Sequence, residues 1–184
     1  THDPMPEAEK AGLPFLVISL FEPSLISHPD TSERSLQFIF QSILAMNTSL
    51  EKYRRKVDIF YSEFEIALAF LLQKYEVSQI FSYQESGVEI TWQRDKNVKR
   101  LLNEASIEWR EFQRDGILRG IRNRHGWDKS WYMKMSEPII QNTYSKNELP
   151  PLQHHLGIDK VLQSKLEHYA AAYQPAVERN AWRY

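Results

Sequence analysis

Three groupings of residues have the types and spacing to do chemistry. Gln84-Glu85-Ser86-Gly87 is followed closely by Thr91, Trp92, Arg94 and Asp95. An amide, a carboxylate and an indole so close together can hold a planar heterocycle, with hydrogen bonds to its edge and stacking on its face. The same residues also read as the N-cap region of a helix with a packed Trp and an Arg94–Asp95 surface pair. The second grouping, Arg110 to Lys134, has seven basic and three acidic residues, with Trp109, Phe112, Trp127, Trp131 and Tyr132 interleaved. Arginine among aromatics suits a domain interface, where Trp and Arg are enriched, and also direct contact with nucleic acid. The third is His154-His155, which reads as a solvent-exposed loop pair in preference to a metal site, because no carboxylate or cysteine stands at a recognised ligand spacing.

The elements that must position these residues can be read from hydrophobic periodicity. Leu13 to Phe21 is a nearly continuous apolar run, suited to a strand buried on both faces. After Thr31 and Ser32, Leu36, Ile39, Phe40, Ile43, Leu44 and Leu50 recur at helical spacing. That helix is expected to end near Tyr53, with Arg54, Arg55 and Lys56 at its negative end. Val57 to Tyr61 predicts a second strand. Ser62 is placed to cap the next helix, which is apolar almost all round from Ile66 to Leu72 and is expected to be well buried. Val77 to Tyr83 predicts a third strand, Trp92 to Leu102 a helix, and Ile107 to Phe112 a fourth strand. Strands alternating with helices point to βα units and a parallel, doubly wound sheet. The Gln84–Gly87 loop then stands at the carboxyl end of the third strand, where open parallel sheets bind ligands. Trp127 to Met135 predicts a short helix, Pro138 to Gly157 an extended loop, and Asp159 to Tyr173 a last helix. Another helix is expected to begin at Val177.

Composition removes several classes of function. The chain has 184 residues, a net charge of −1 and no cysteine. There is no global basic field for nucleic acid or an acidic membrane. Disulfides, thiolate metal sites and cysteine nucleophiles are excluded. No apolar run approaches the roughly 20 residues of a membrane span, so a cytoplasmic protein with no membrane partner is expected. Its six glycines form no GxGxxG or GxxxxGK[ST] loop and the chain has no GxSxG elbow. That counts against a stand-alone nucleotide-binding α/β protein, which needs a phosphate cradle. The opening Thr1-His2-Asp3-Pro4 and the final Ala181-Trp182-Arg183-Tyr184 read as those of a chain processed or cut from something longer.

Spaced motifs along nearly the whole chain resemble the photolyase/cryptochrome family. Phe21-Glu22-Pro23-Ser24-Leu25, with His28-Pro29-Asp30 and Ser32-Glu33-Arg34, is similar to that family's second-strand region. Gln84 to Gly87 and Thr91-Trp92-Gln93-Arg94-Asp95 resemble the motif after its fourth strand. Trp109 to Ile117, then Arg119-Gly120, Gly126-Trp127, Trp131, Met135 and Pro138, resemble its fifth strand and the stretch after it. Gln174 to Tyr184 resembles the start of the helical flavin domain, with Ala176-Val177-Glu178 where Gly-Gly-Glu is common.

The resemblance implies a division into an α/β domain over 1–137, a linker with a short helix over 138–173, and the truncated start of the FAD-binding helical domain over 174–184. It implies an α/β fold of Rossmann-like type lacking the family's central first strand. The second and fourth strands of the family would then flank an empty slot, at a cost of about 1–3 kcal/mol for each buried backbone group left without a partner. The sheet is therefore expected to be split, closed up or filled by another chain, unless the sequence is an excerpt of a longer protein.

The resemblance further implies a parent deoxyribodipyrimidine photolyase-like flavoprotein, a carbon–carbon lyase using light and FAD to split pyrimidine dimers in damaged DNA. The alternative is a cryptochrome-type blue-light sensor without repair activity. In either case FAD belongs to the missing helical domain, which is a partner in cis. This part would be non-catalytic and metal-free, would bind an antenna chromophore (folate or deazaflavin) and would dock on the flavin domain. Gln84, Glu85 and Trp92 are the candidate antenna contacts, and the stretch from Arg119 to Trp131 is the candidate docking segment. Alignment on Arg94-Asp95 puts Ile90 and Thr91 where folate-binding members carry an Asn-Glu pair. A folate, a deazaflavin or no antenna all stay open.

Overall fold

The computed structural model describes residues 3–141 and 143–170. In chain order the helices and strands are α1 (Pro4–Lys10), β1 (Val17–Leu20), α2 (Pro23–Ile26), α3 (Glu33–Leu50), β2 (Val57–Phe60), α4 (Phe64–Lys74), β3 (Gln79–Tyr83), α5 (Glu89–Glu104), β4 (Glu108–Phe112), α6 (Trp127–Met135) and α7 (Lys160–Glu167). The four expected strands and their alternation with helices are present. Two helices, α1 and the single turn α2, have no counterpart in the sequence reading. The helix expected from Val177 lies outside the described residues.

The strands form two separate two-stranded parallel sheets, β1 with β2 and β3 with β4. Val17 stands opposite Val57, and Gln79 opposite Glu108. A single doubly wound sheet is therefore not what the described strands build. They take the split form, one of the outcomes expected where a central strand is lacking. The Leu13–Phe21 run also differs from expectation: only Val17–Leu20 is strand, and all four residues are half-buried. A strand with a neighbour on one edge only cannot be covered like the centre of a sheet.

The chain divides into two compact units, one of residues up to Leu13 with Leu72–Tyr144, the other of Pro14–Leu71 with the described residues from Ser145 onward. In the second, Ser32 caps α3, its Oγ accepting from Ser35 N at 3.1 Å. Phe40 and Ile43 are buried on α3, and Phe21 meets Phe40 edge to face at 6.3 Å. Asn47 clamps the start of β2: Val57 N donates to its Oδ1, and its Nδ2 donates to Val57 O. Gln37 and Gln41 of α3 donate to the carbonyls of Lys165 and Leu166 in α7. α7 is itself capped by Asp159, which accepts from Leu162 N at 2.8 Å.

Three local expectations differ from the structure. Arg55 does not decorate the end of α3. It is buried, stacks on Phe15 at 3.9 Å, and donates to Ser145 O and Oγ at 3.0 and 2.9 Å. Ser62 does not cap α4; its Oγ is buried without a hydrogen-bond partner among the described residues, and the buried Glu22 accepts from Phe64 N instead. A carboxylate at a helix start also meets the positive end of the dipole, which favours it over a hydroxyl. α4 is not buried all round, since Ile66 and Leu72 are exposed while Ala67 and Leu68 are covered.

In the first unit α5 buries Val98 and Leu102, beside Ile107 at the start of β4. α1 lies along β3: Asp3 N donates to Tyr83 Oη at 2.9 Å, and Glu7 pairs with Arg110 of β4 at 3.0 Å. The Lys10 ammonium, 2.6 Å from Glu7, holds that carboxyl below the usual glutamate range, with Arg110 adding to the effect. Burial pushes the Tyr83 phenol up. No helix among the described residues is long and apolar enough to cross a membrane.

Candidate functional site

The carboxyl ends of β3 and β4 bring charged residues together because parallel strands deliver all their following loops to one edge. Gln84 extends the ladder, its N–H donating to Phe112 O at 2.8 Å. Trp109 of β4 donates its indole N–H to Ser82 of β3 at 2.9 Å. These bonds fix where the Gln84–Gly87 loop leaves the sheet. Ser86 Oγ then reaches Asp115 at 3.3 Å, and Asp115 accepts from Ile117 N at 2.9 Å.

Behind the loop stands a network of four charges. Asp95 is buried on α5. Its Oδ1 accepts from Arg94 Nε and Nη2 at 3.2 and 2.9 Å, and its Oδ2 from Arg119 Nη2 at 3.1 Å. Arg119 continues to Glu111 at 3.1 Å. The expected surface pair Arg94–Asp95 is thus a buried carboxylate shared by two guanidinium groups. Among these four groups two cations and two anions balance, and the network ties α5 to the end of β4 through Arg119. Sequence reading placed Arg119 in a docking segment and did not single out Glu111. The alternation of β4 put Glu111 beyond Trp109 on the strand, but only the three-dimensional return of Arg119 shows its partner.

The three candidate contacts fall in different surroundings. Gln84 is half-buried at the strand end. Glu85 folds its carboxylate over Gly87, where an added Cβ would lie 2.8 Å from Glu85 Oε1 and 3.1 Å from Thr91 Oγ1. Thr91 itself donates to Val88 O at 2.7 Å. Trp92 is 50% exposed on the outer side of α5, with Lys96 Nζ 3.9 Å from its ring. Among the described residues no hydrogen bond or ring contact joins Trp92 to Gln84 or Glu85. Glu85 is the carboxylate of this edge that makes no hydrogen bond or ion pair among the described residues.

The second grouping is organised by one close packing. Gly116 is buried because the Trp131 ring lies on it; an added Cβ would stand 1.9 Å from Trp131 Cδ1. Trp127 is 6.5 Å from Trp131 on the same helix. Gly116→Val must therefore push the indole out. Overpacking of this kind costs about 1–3 kcal/mol. The expected result is a lower urea midpoint and a change in tryptophan emission, and unchanged emission would contradict the packing.

In the third grouping His155 is exposed as expected, whereas His154 is half-buried. His154 stacks on Phe60 at 4.2 Å with 9° between the rings, and His155 meets Phe70 edge-on at 5.5 Å. Among the described residues no group of three or more His, Cys, Asp or Glu stands as a metal cluster.

No family model matches the sequence, and no curated protein matches it. Among solved structures the chain is similar to an archaeal photolyase from Sulfolobus tokodaii, at 16% identity and a TM-score of 0.59 over 90% of this chain. That crystal structure holds two FAD molecules and is described as implying a novel light-harvesting cofactor. The chain spans 38% of that protein's length. Together with the parallel strand pairs and their covering helices, the likeness shows an α/β fold of the photolyase kind.

Proposed function

We propose that this chain is the α/β part of a photolyase/cryptochrome-like flavoprotein, with the α/β domain over 1–137, a linker over 138–173 and the start of a helical flavin domain over 174–184. The observation that carries this reading is the photolyase-like fold over 90% of the chain. The whole protein would bind FAD in the helical domain and use light to split pyrimidine dimers in DNA. This part would hold an antenna chromophore and dock on the flavin domain.

The residues present accord with that division. The sequence carries no GxGxxG or GxxxxGK[ST] loop, and the resemblance assigns FAD to the helical domain. At the β3 edge the uncommitted Glu85 carboxylate suits a ring N–H or hydroxyl donor, and Trp92, half-exposed on α5 beside Lys96, is the candidate aromatic contact. Gln84 supplies an amide at the strand end. An antenna bound here would absorb light and pass excitation to the flavin. The chain's own contribution is to fix its orientation, with the Gln84 backbone held by Phe112 O and Ser86 by Asp115.

The test is an absorption spectrum of the natively purified parent protein, before and after blue light with DNA carrying a pyrimidine dimer. A flavin spectrum with loss of dimers is expected. Flavin without dimer loss would move the assignment to a light sensor, and absence of flavin would leave the fold alone. Glu85→Gln is expected to remove or shift a near-ultraviolet or violet antenna band while the flavin bands stay in place. A band unchanged in that variant would move the antenna away from this loop.

A further inference from the structure

We infer that the outer face of α3 seats residues 171–184 of this same chain, which lie outside the described residues. Ile39, Ser42, Met46 and Ser49 stand at i, i+3, i+7 and i+10 and so share one face of the helix. Ile39 and Met46 are 45% and 46% exposed, and Ser49 is exposed with them. α3 carries no charged residue from Ser35 to Leu50. The solvent side of a helix is ordinarily charged, so an open apolar side without charge marks a contact surface. It offers no charge to a phosphate, a nucleic acid or an ionic peptide, and it matches an apolar stripe.

The place where the described chain stops names the occupant. Gln37 and Gln41 hold the last turn of α7 against α3, and Tyr169 then meets Phe38 with ring centroids 6.4 Å apart. The chain is therefore delivered to the flank of this face, with Tyr169 and Ala170 half-buried. In the sequence that follows, Tyr173, Val177, Ala181 and Tyr184 recur at helical spacing, and Glu178, Arg179 and Arg183 fall on the opposite side. From Tyr173 to Tyr184 a helix rises about 16 Å, as α3 does from Phe38 to Ser49. A segment tethered beside its seat has an effective concentration of about millimolar, far above that of a second copy or a separate peptide in dilute solution.

The inference deepens the docking role proposed above. In that reading the segment opens the flavin domain, and α3 becomes a surface to which that domain is fastened.

The chain has no cysteine, so introduced pairs report proximity without background. Ala181→Cys is combined in turn with Ile39→Cys, Ser42→Cys and Met46→Cys. Ile66→Cys, at another exposed apolar position of the same unit, is the control partner. A disulfide needs Cα atoms within about 7 Å. The expected result under mild oxidation is a disulfide within one chain, forming about tenfold or more faster in one of the α3 pairs than in the control. No disulfide in any α3 pair, a control that closes as fast, or a disulfide between two chains would each overturn the inference, the last in favour of a second copy. Ile39→Asp sets a charge against the apolar stripe and is expected to speed tryptic cleavage after Arg179 by about tenfold. Unchanged cleavage would equally overturn it. Ile39 is exposed, and an unchanged far-ultraviolet spectrum confirms that this variant folds. Neither readout involves flavin or DNA, so the inference fails or succeeds separately from the light-driven reading.

Discussion

Phe60→Ala is expected to lower the stability of its unit by about 3–5 kcal/mol, the range for emptying a buried aromatic site. Phe60 has no exposed surface. It ends β2 opposite Leu20, stacks face to face on His154 and meets Phe70 at 6.1 Å. Its neighbour Tyr61 donates to Leu156 O at 2.7 Å, so the loop segment after Pro151 is fastened at the same place. Truncation therefore removes a core side chain and the platform under the histidine together. Phe60→Leu refills most of the volume and is expected to recover more than half of the loss. Urea unfolding measures the first effect, and the ring proton shifts of His154 measure the second. A loss under about 1 kcal/mol with unmoved histidine shifts would mean that the stack does not bear on stability.

Asp95→Ala is expected to cost about 3 kcal/mol. Removing one member of a buried ion network leaves its partners uncompensated, at about 3–5 kcal/mol when burial is complete. The Arg94 and Arg119 side chains are 26% and 27% exposed, so water recovers part of that and the lower end applies. Asp95→Asn keeps the shape but not the charge and is expected to fall between. A double-mutant cycle with Arg119→Ala isolates the pair, and a coupling near zero would show that Asp95 acts through Arg94 alone. Trp92, Trp109, Trp127 and Trp131 all lie in the unit containing Asp95. Their emission therefore reports this variant, whereas the histidine signals report Phe60→Ala, and the two can be read apart where unfolding is not a single transition.

Periodic segments were the legible part of the fold. Trp127–Met135 has the predicted bounds, and the strands at Val57, Gln79 and Glu108 lie within the segments that predicted them. Alternation and apolar spacing are local properties, and neighbouring residues carry them. α1 was missed because Pro-Met-Pro-Glu-Ala-Glu-Lys has two prolines and no apolar period, yet Pro at the first helical turn is compatible with a helix. Ser62 misled because a good capping residue stood next to the helix start, while the group that binds Phe64 N comes from Glu22, far away in the chain. Arg55 and Ser145 are further apart still. At the candidate site, Arg94 and Asp95 were legible as a pair, since they adjoin. Their burial was not, because it depends on Arg119 returning from beyond β4. The uncommitted state of Glu85 is equally invisible in sequence, being set by what its neighbours bond to.

A parallel ladder with one neighbour satisfies alternate backbone groups of each strand and turns the rest away from the pair. In each sheet one strand carries charge and the other, β1 or β3, carries none. β4 carries Glu108, Arg110 and Glu111, and a foreign chain approaching it meets charge at almost every step. β1 is Val-Ile-Ser-Leu, preceded by Phe15-Leu16, with no charge and no proline from Phe15 to Leu20. Uncharged, β-prone and half-uncovered, it has the character of a nucleus for amyloid-like stacking. A lysine introduced within it would act as a gatekeeper against fibre growth.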